Sequence, residues 1–246
     1  MALKEEFEKT GGWLFRWRSY LPLVVVALFL LAFRNFRYPY DSQALARFWE
    51  TICLLISFIG LGIRIATLCF VPAGTSGRNT KGQVARVLNT TGMYSIVRHP
   101  LYLGNFFIWL GLSLFLRSFW FSSTIVLLFW LYYERIMFAE EHFLREKFGA
   151  EFSEWAERTP AFFPNIKKWQ SPTMTFSLRT VLRKEYSSFF AIMVSFTVLK
   201  ILGELFIHGR LGLDRLWLVL FGISLIIYLV LRMLKKWTTV LNVEGR

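Results

Sequence analysis

The sequence predicts an all-α protein, a polytopic transmembrane helical bundle with about six spans. Three observations carry this. Of the 246 residues, 55% are hydrophobic, and ten are Trp, a balance shifted from soluble domains toward membrane proteins. Six apolar runs approach the roughly 20 residues needed to cross hydrocarbon: 18–36, 48–71, 100–116, 118–134, 186–207 and 214–234. The Lys and Arg residues gather in alternate connections between these runs, the bias that sets membrane orientation. Of the 29, the six-span arrangement puts 21 inside and 6 outside, so both termini and the polar core segments are expected in the cytoplasm. Topology thus accounts for most of the +13 net charge, and neither nucleic acid nor an obligate protein partner is inferred.

Residues 1–72 read as an N-terminal two-span region. Lys4, Glu5, Glu6, Glu8 and Lys9 precede Trp13, Phe15 and Trp17, a charged start followed by aromatics suited to the headgroup level. The apolar run Leu21 to Phe33 has the length of a signal-peptide core. Arg34 to Arg37 follow it in place of a small-residue cleavage site, however, which favours an uncleaved first span. The second span holds Cys53 and Cys69, which lie ~24 Å apart along a helix and so cannot bridge each other. It also holds Arg64, an expensive residue inside a membrane. Arg64 either snorkels outward or faces the bundle and helps hold an anionic headgroup.

Residues 73–168 read as a core made of a loop, a helical hairpin and an amphipathic helix. The loop carries Gly74, Gly77, Arg78, Lys81, Gly82 and Arg86. It lacks the Lys-Ser/Thr and the preceding strand of a phosphate loop. Gly92 to Asn105 then sets a charged and aromatic cluster at the mouth of the third span, and Pro100 suits a helix start because the N–H it lacks would be unpaired there. A helix beginning at Pro100 gathers Arg98, His99 and Tyr102 at the polar end. The hairpin is expected to break near Arg117-Ser118. Glu134 to Phe152 continues as a polar helix, with Glu141 and Arg145 at the spacing of an i,i+4 ion pair and Gly149 able to break it. Glu140 emerges one to two turns past span four, near the Arg98-His99 end of span three. Pro160 to Pro164 closes the core, with Phe162 and Phe163 available to cover a ring or lipid chain.

Residues 169–246 read as a two-span extension. Arg179, Arg183 and Lys184 suit anionic headgroups or plain positive-inside topology. Lys200 and Glu204, at i,i+4, are expected to neutralise each other or snorkel. His208 reads as an exposed loop residue. Three His and no Cys/His cluster point to no metal site.

Tyr94, Arg98-His99-Pro100, Tyr102 and Gly104, followed by Glu140-Glu141, Leu144, Phe148-Gly149 and Pro160/Pro164, resemble the isoprenylcysteine carboxyl methyltransferase family and its phospholipid methyltransferase relatives, over roughly residues 45–168. The resemblance implies S-adenosyl-L-methionine as methyl donor, bound at the cytoplasmic mouth, and a lipid-borne acceptor arriving from the bilayer. It implies cofactor contacts from Arg86, Val87, Leu88, Asn89, Tyr94, His99, Pro100, Leu101, Tyr102 and Glu140. Arg98 and Arg135 are the implied catalytic residues and acceptor contacts, and Arg64 joins the acceptor-binding set if it faces the bundle rather than snorkelling. The loop from Thr75 to Thr80 and the extra spans look similar to bacterial members that methylate a lipid A phosphate, which implies an inner-membrane location. Membrane sterol reductases share a related Arg-His-Pro-x-Tyr element but bind NADPH. Their Asn after Pro and acidic residue after Gly are replaced here by Leu101 and Asn105.

The chemistry suits this set. Methyl transfer is an in-line displacement, so catalysis lies mainly in holding the nucleophile at near-attack distance. A carboxylate or phosphate is already anionic at neutral pH and needs a positioning cation, which Arg supplies bidentately. An amine acceptor would need a base such as Glu141 or Glu134. The excess of cations at the mouth therefore predicts an anionic acceptor, a lipid phosphate ahead of a prenylcysteine carboxylate or a phospholipid amine.

Overall fold

The structure, a computed structural model, describes residues 3–17, 28–33, 42–72, 74–75 and 84–245, and these are helical with short connections. Most of the first expected span and the loop residues 76–83, including Gly77, Arg78, Lys81 and Gly82, lie outside the described residues. Among the described residues three helices are long and apolar enough to cross a membrane, Ala44–Leu68, Leu178–His208 and Arg215–Trp237, and Pro100–Leu114 is a shorter apolar helix. The described residues form the all-helical fold of an integral membrane protein.

Helix α1 (Leu3–Trp17) is amphipathic. Its apolar side does more than touch the interface: Phe7 meets the edge of Phe138 at 5.9 Å between ring centroids, and Phe15 is buried among Ile96, Tyr102 and Ile136. Residues 28–33 add Phe29, Ala32 and Phe33 to the main core.

Helix α2 (Gln43–Leu68) starts at Ser42, whose hydroxyl accepts from the Leu45 N–H at 3.4 Å, the usual way a helix satisfies one of its free N–H groups. One turn, α3 (Met93–Ile96), then leads to α4 (Pro100–Leu114), with Pro at its first position as the sequence predicts. Helices α2 and α4 touch backbone to backbone. A Cβ added at Gly104 would stand 2.5 Å from Arg64 Cγ and 2.7 Å from the Gly60 carbonyl oxygen, while the Ser57 hydroxyl donates to the Ile108 carbonyl at 3.1 Å. Small residues that let backbones approach are the main means of packing helices where lipid removes the hydrophobic drive.

The hairpin turns at Phe115 to Ser118, where Arg117 takes φ 54, and α5 (Phe119–Phe148) runs unbroken through the expected fourth span into its polar continuation. Gly149, with φ 54, ends it, and α6 (Ala150–Arg158) leaves in a new direction. The chain from Pro160 to Gln170, with a 3-10 turn at Ile166–Lys168, doubles back along the start of the hairpin. Two long helices complete the bundle. Helix α7 (Leu178–His208) begins at Ser177 and ends at left-handed Gly209, and α8 (Arg215–Trp237) is capped by the Asp214 carboxylate, which accepts from Trp217 N at 3.0 Å. On α8, Leu216, Leu218, Val219, Ile223 and Ile226 are exposed, a face suited to lipid.

The buried charges differ from the expectation. Lys200 finds its enclosed carboxylate on another helix. Its Nζ donates to Glu50 of α2 at 2.8 Å and lies 3.9 Å from Asp214, while Glu204 sits 3.7 Å from His208. A buried ammonium gains more from a fixed, fully enclosed carboxylate than from an i,i+4 neighbour on its own helix.

Candidate functional site

Residues 92–99 and 160–170 run side by side at one end of the bundle and are stitched by backbone hydrogen bonds. Arg98 N donates to Pro160 O at 2.9 Å, His99 N to Ala161 O at 3.2 Å and Asn165 N to Ile96 O at 2.9 Å. Gly92 N donates to Gln170 O at 2.9 Å, and Gln170 N donates to the Ser95 hydroxyl at 2.9 Å. Gly92 takes φ 61, a conformation that glycine adopts without steric cost. These bonds satisfy the polar backbone on both sides of His99 and fix the imidazole where α4 begins.

His99 is buried and lies between two consecutive carboxylates of α5. Its Nε2 donates to Glu141 Oε1 at 2.9 Å, and its Nδ1 is 3.7 Å from Glu140 Oε2. Consecutive helical side chains point about 100° apart, so an imidazole between them meets one with each ring nitrogen. The Tyr102 hydroxyl donates to Glu140 Oε2 at 2.9 Å, and its ring stacks on His99 with centroids 5.6 Å apart. Arg98 brings Nε to 3.1 Å from Glu141 Oε1 and donates from Nη1 to the Ala156 carbonyl at 3.2 Å. Burial alone would raise the Glu141 carboxyl, but the His99 hydrogen bond and the charges of His99, Arg98 and Arg145 outweigh it and hold the carboxyl below its ordinary value. Glu141 is therefore an anion at neutral pH.

Tyr94 stands next to this cluster. Burial, helped by the charge of Glu140, pushes its phenol above the ordinary range, so at neutral pH it keeps its proton. Its carbonyl accepts from Trp155 Nε1 at 3.0 Å, and it packs with Leu88, Phe152 and Trp155. Val87, Leu88 and Asn89 line a cavity of about 240 Å³ with Gly92, Met93, Thr67 and Phe70. A larger groove of about 720 Å³ opens along residues 160–168, which form a strap over the start of the hairpin, and is lined by Arg98, Phe163, Ile166, Lys167 and Lys168.

The structure thus brings together Arg98, His99, Pro100, Tyr102 and Glu140, places Tyr94 beside them and puts Val87 to Asn89 in the neighbouring cavity. Leu101 lies on the first turn of α4 and is partly buried. Three predicted residues stand apart. Arg86 is exposed, with its N–H donating to Gly74 O at 3.1 Å. The Arg135 guanidinium lies over the Phe7 ring of α1, 4.6 Å from its centroid. Arg64 faces the bundle interior, one of the two placements the sequence allows, but it is already paired. Its Nε and Nη2 reach the two oxygens of Glu185 at 2.9 and 2.7 Å, and Nη1 donates to Asn105 Oδ1 at 2.7 Å. Among the described residues no group of three or more His, Cys, Asp and Glu gathers in a way that could hold a metal.

Sequence reasoning missed Glu141 as the partner of His99, because i,i+4 spacing offers Arg145, and missed Glu185 and Asn105 altogether. One signal pointed to Glu185: a membrane-buried Arg64 needs a counter-charge, and Glu185 is an acidic residue at the edge of another span.

The residues expected to hold S-adenosyl-L-methionine fit its chemistry. Glu140, Glu141, Tyr94 and Tyr102 supply the two carboxylates and two phenols that a ligand bearing a sulfonium, an ammonium and an adenine calls for, while the cavity that contains Gly92 is walled by residues 87–93 with Thr67, Phe70 and Thr173 and by none of those four.

Comparison with known proteins gives a family likeness for the central segment of the chain. Residues 51–151 match the phospholipid methyltransferase family model, a segment running from α2 through the hairpin to the start of α6. Over 123 residues the chain is 32% identical to the nickel-cobalt-cadmium resistance protein NccN of Alcaligenes xylosoxydans xylosoxydans, covering 50% of this chain and 57% of that one. It is 36% identical over 119 residues to the cobalt-zinc-cadmium resistance protein CzcN of Cupriavidus metallidurans, covering 48% and 52%. A third relative is the protein-S-isoprenylcysteine O-methyltransferase of Schizosaccharomyces pombe, 31% identical over 115 residues, covering 45% and 48%. The chain spans about half the length of the curated relatives it matches. No solved structure matches it. The chain is an integral membrane protein whose residues 51–151 match the phospholipid methyltransferase family model and which is similar to isoprenylcysteine O-methyltransferases over about half of its length.

Proposed function

We propose that the protein transfers a methyl group from S-adenosyl-L-methionine to an anionic headgroup of a membrane-embedded lipid. The observation that carries this is the convergence of His99, Tyr102, Glu140, Glu141 and Arg98, from two helices and a strap, at the mouth of an apolar hairpin. The cofactor supplies an electrophilic methyl carbon next to a sulfonium. Glu140, aligned by Tyr102 and His99, offers a carboxylate for the cofactor's cationic groups. Tyr94 stays a neutral donor, and residues 87–92 wall the cavity beside it. Arg98, on the groove side of the strap with Lys167 and Lys168, orients an anionic acceptor.

The count of cations behind a phosphate acceptor is smaller in the structure. Arg64 carries a carboxylate of its own, and Arg135 stacks on Phe7. A single carboxylate suffices for what remains, and the likeness to isoprenylcysteine O-methyltransferases favours that second acceptor class. The mouth is assigned to the cytoplasmic face of a bacterial inner membrane, on the inside bias of Lys and Arg.

The test incubates purified protein and labelled S-adenosyl-L-methionine with total lipid extract, and separately with a prenylcysteine analogue, and locates the label by mass spectrometry. Label on a phosphate or a carboxylate is the expected result, and which one settles the acceptor class. Label on a lipid amine overturns the anionic acceptor. Binding of NADPH in place of S-adenosyl-L-methionine overturns the reaction class.

A further inference from the structure

Helices α2 and α7 are joined by two buried ion pairs of opposite sense. Toward the site end, Arg64 of α2 meets Glu185 of α7; toward the far end, Glu50 of α2 meets Lys200 of α7. The carboxylates of Glu50 and Glu185 are each 3% exposed, so either pair is enclosed well enough to pin the helices. The Arg64–Glu185 pair is continuous with the candidate site.

From Glu185 the contacts lead inward without a gap. Arg64, held by both Glu185 oxygens, donates to Asn105 Oδ1 at 2.7 Å. That contact fixes which way the amide faces, since the oxygen must meet the guanidinium and Nδ2 must point away. Asn105 Nδ2 then donates to the Tyr133 hydroxyl at 3.1 Å. The Tyr133 ring lies against Tyr102, centroids 4.9 Å apart, and the Tyr102 hydroxyl holds Glu140. The far pair leads toward α8: Glu50 receives Trp217 Nε1 at 3.4 Å, and Lys200 has Asp214 beyond it.

We infer that Glu185, contributed by the C-terminal helical pair outside the matched segment 51–151, is a positioning residue for the cofactor site, acting through Arg64, Asn105, Tyr133 and Tyr102 on Glu140. The inference rests on the cofactor reading above. It gives the extension a working part in the site: the methyltransferase-type core supplies Arg64, and the extension supplies the carboxylate that aims it. It also reassigns Arg64 from acceptor contact to alignment of the cofactor's side.

The test uses full-length protein and measures S-adenosyl-L-methionine affinity by titration, with thermal unfolding in detergent as a second readout. Removing one member of a buried pair strands the other, whereas replacing both with apolar residues preserves packing. The informative variants are therefore the doubles Arg64→Met/Glu185→Leu and, as the pinning control, Glu50→Leu/Lys200→Met. The first is expected to fold and to bind the cofactor about tenfold more weakly; the second is expected to bind as the wild type does. Tyr133→Phe alone is expected to weaken binding in the wild type and to add nothing to the first double. Wild-type affinity in the first double, an equal loss in the control, or an additive effect of Tyr133→Phe each overturns the inference. Failure of the wild type to bind S-adenosyl-L-methionine sinks the cofactor reading instead. The relay is then judged by thermal shift: Tyr133→Phe must change the unfolding temperature less in the Arg64→Met/Glu185→Leu background than in the wild type, and equal shifts overturn it.

Discussion

His99 holds two neighbouring carboxylates apart with its two ring nitrogens, so its loss affects both. His99→Ala and Glu140→Ala each remove a polar partner from a partly desolvated cluster, where a hydrogen bond to a charged group is worth about 1.5–3 kcal/mol. S-adenosyl-L-methionine affinity should fall by roughly tenfold to a hundredfold in titration, with the fold intact by circular dichroism. Glu141 gives a pH signature. Its folded-state pKa lies below the ordinary value of 4.5, so its contribution to stability is present above that value and is lost as pH falls through the folded one. Wild type should therefore unfold at a higher temperature than Glu141→Gln near pH 7, with the gap closing as the solution is acidified. A gap that stays constant down to strongly acidic pH would show that Glu141 is not held as an anion. At this scale His99, Tyr102 and Glu140 were legible, because residue type and a helix start at Pro100 narrow the options. The His99–Glu141 contact spans 42 positions, and nothing local in the chain marks a partner that distant.

The α2–α4 crossing is the tightest element contact bearing on the site, and glycine makes it so. At Gly111 an added Cβ would collide with the Ser57 hydroxyl and the Cys53 carbonyl. Gly104→Val and Gly111→Val should each lower stability by about 1–3 kcal/mol or more through overpacking. Gly62, on the same helix as Gly60, meets nothing within 4 Å of an added Cβ. Gly62→Ala should therefore raise stability by about 0.5–1 kcal/mol; thermal unfolding of the three variants checks both signs. Gly104→Val should also weaken cofactor binding, because the new side chain presses on Arg64 Cγ. Element ends were readable from single residues: Pro100 opens α4, and Gly149 closes α5. The partners of Lys200 were not readable, since its own helix displayed a plausible carboxylate at Glu204 while the real one sits 150 positions away on α2.

For the whole molecule, the apolar runs gave the helical membrane class and the alternation of Lys and Arg gave an orientation. Reporter fusions at Arg246 and after Gly209 should report opposite sides of the membrane, because α8 lies between them; the same side for both would remove α8 as a span. How the C-terminal pair docks was not legible, because two buried charge pairs join segments that composition alone reads as independent. Those pairs also bear on how the protein is made. The ribosome completes α2 well before α7, with 121 residues between Arg64 and Glu185, which at roughly 5–20 residues per second is a wait of about 6–24 s. Through that interval a newly inserted α2 carries an acid and a base with no counter-charge from α7, so it must lodge against the insertion machinery or draw in water until α7 arrives. Nascent chains halted before Ser177 should therefore remain crosslinkable to the insertion machinery through α2, and those extended past His208 should be released.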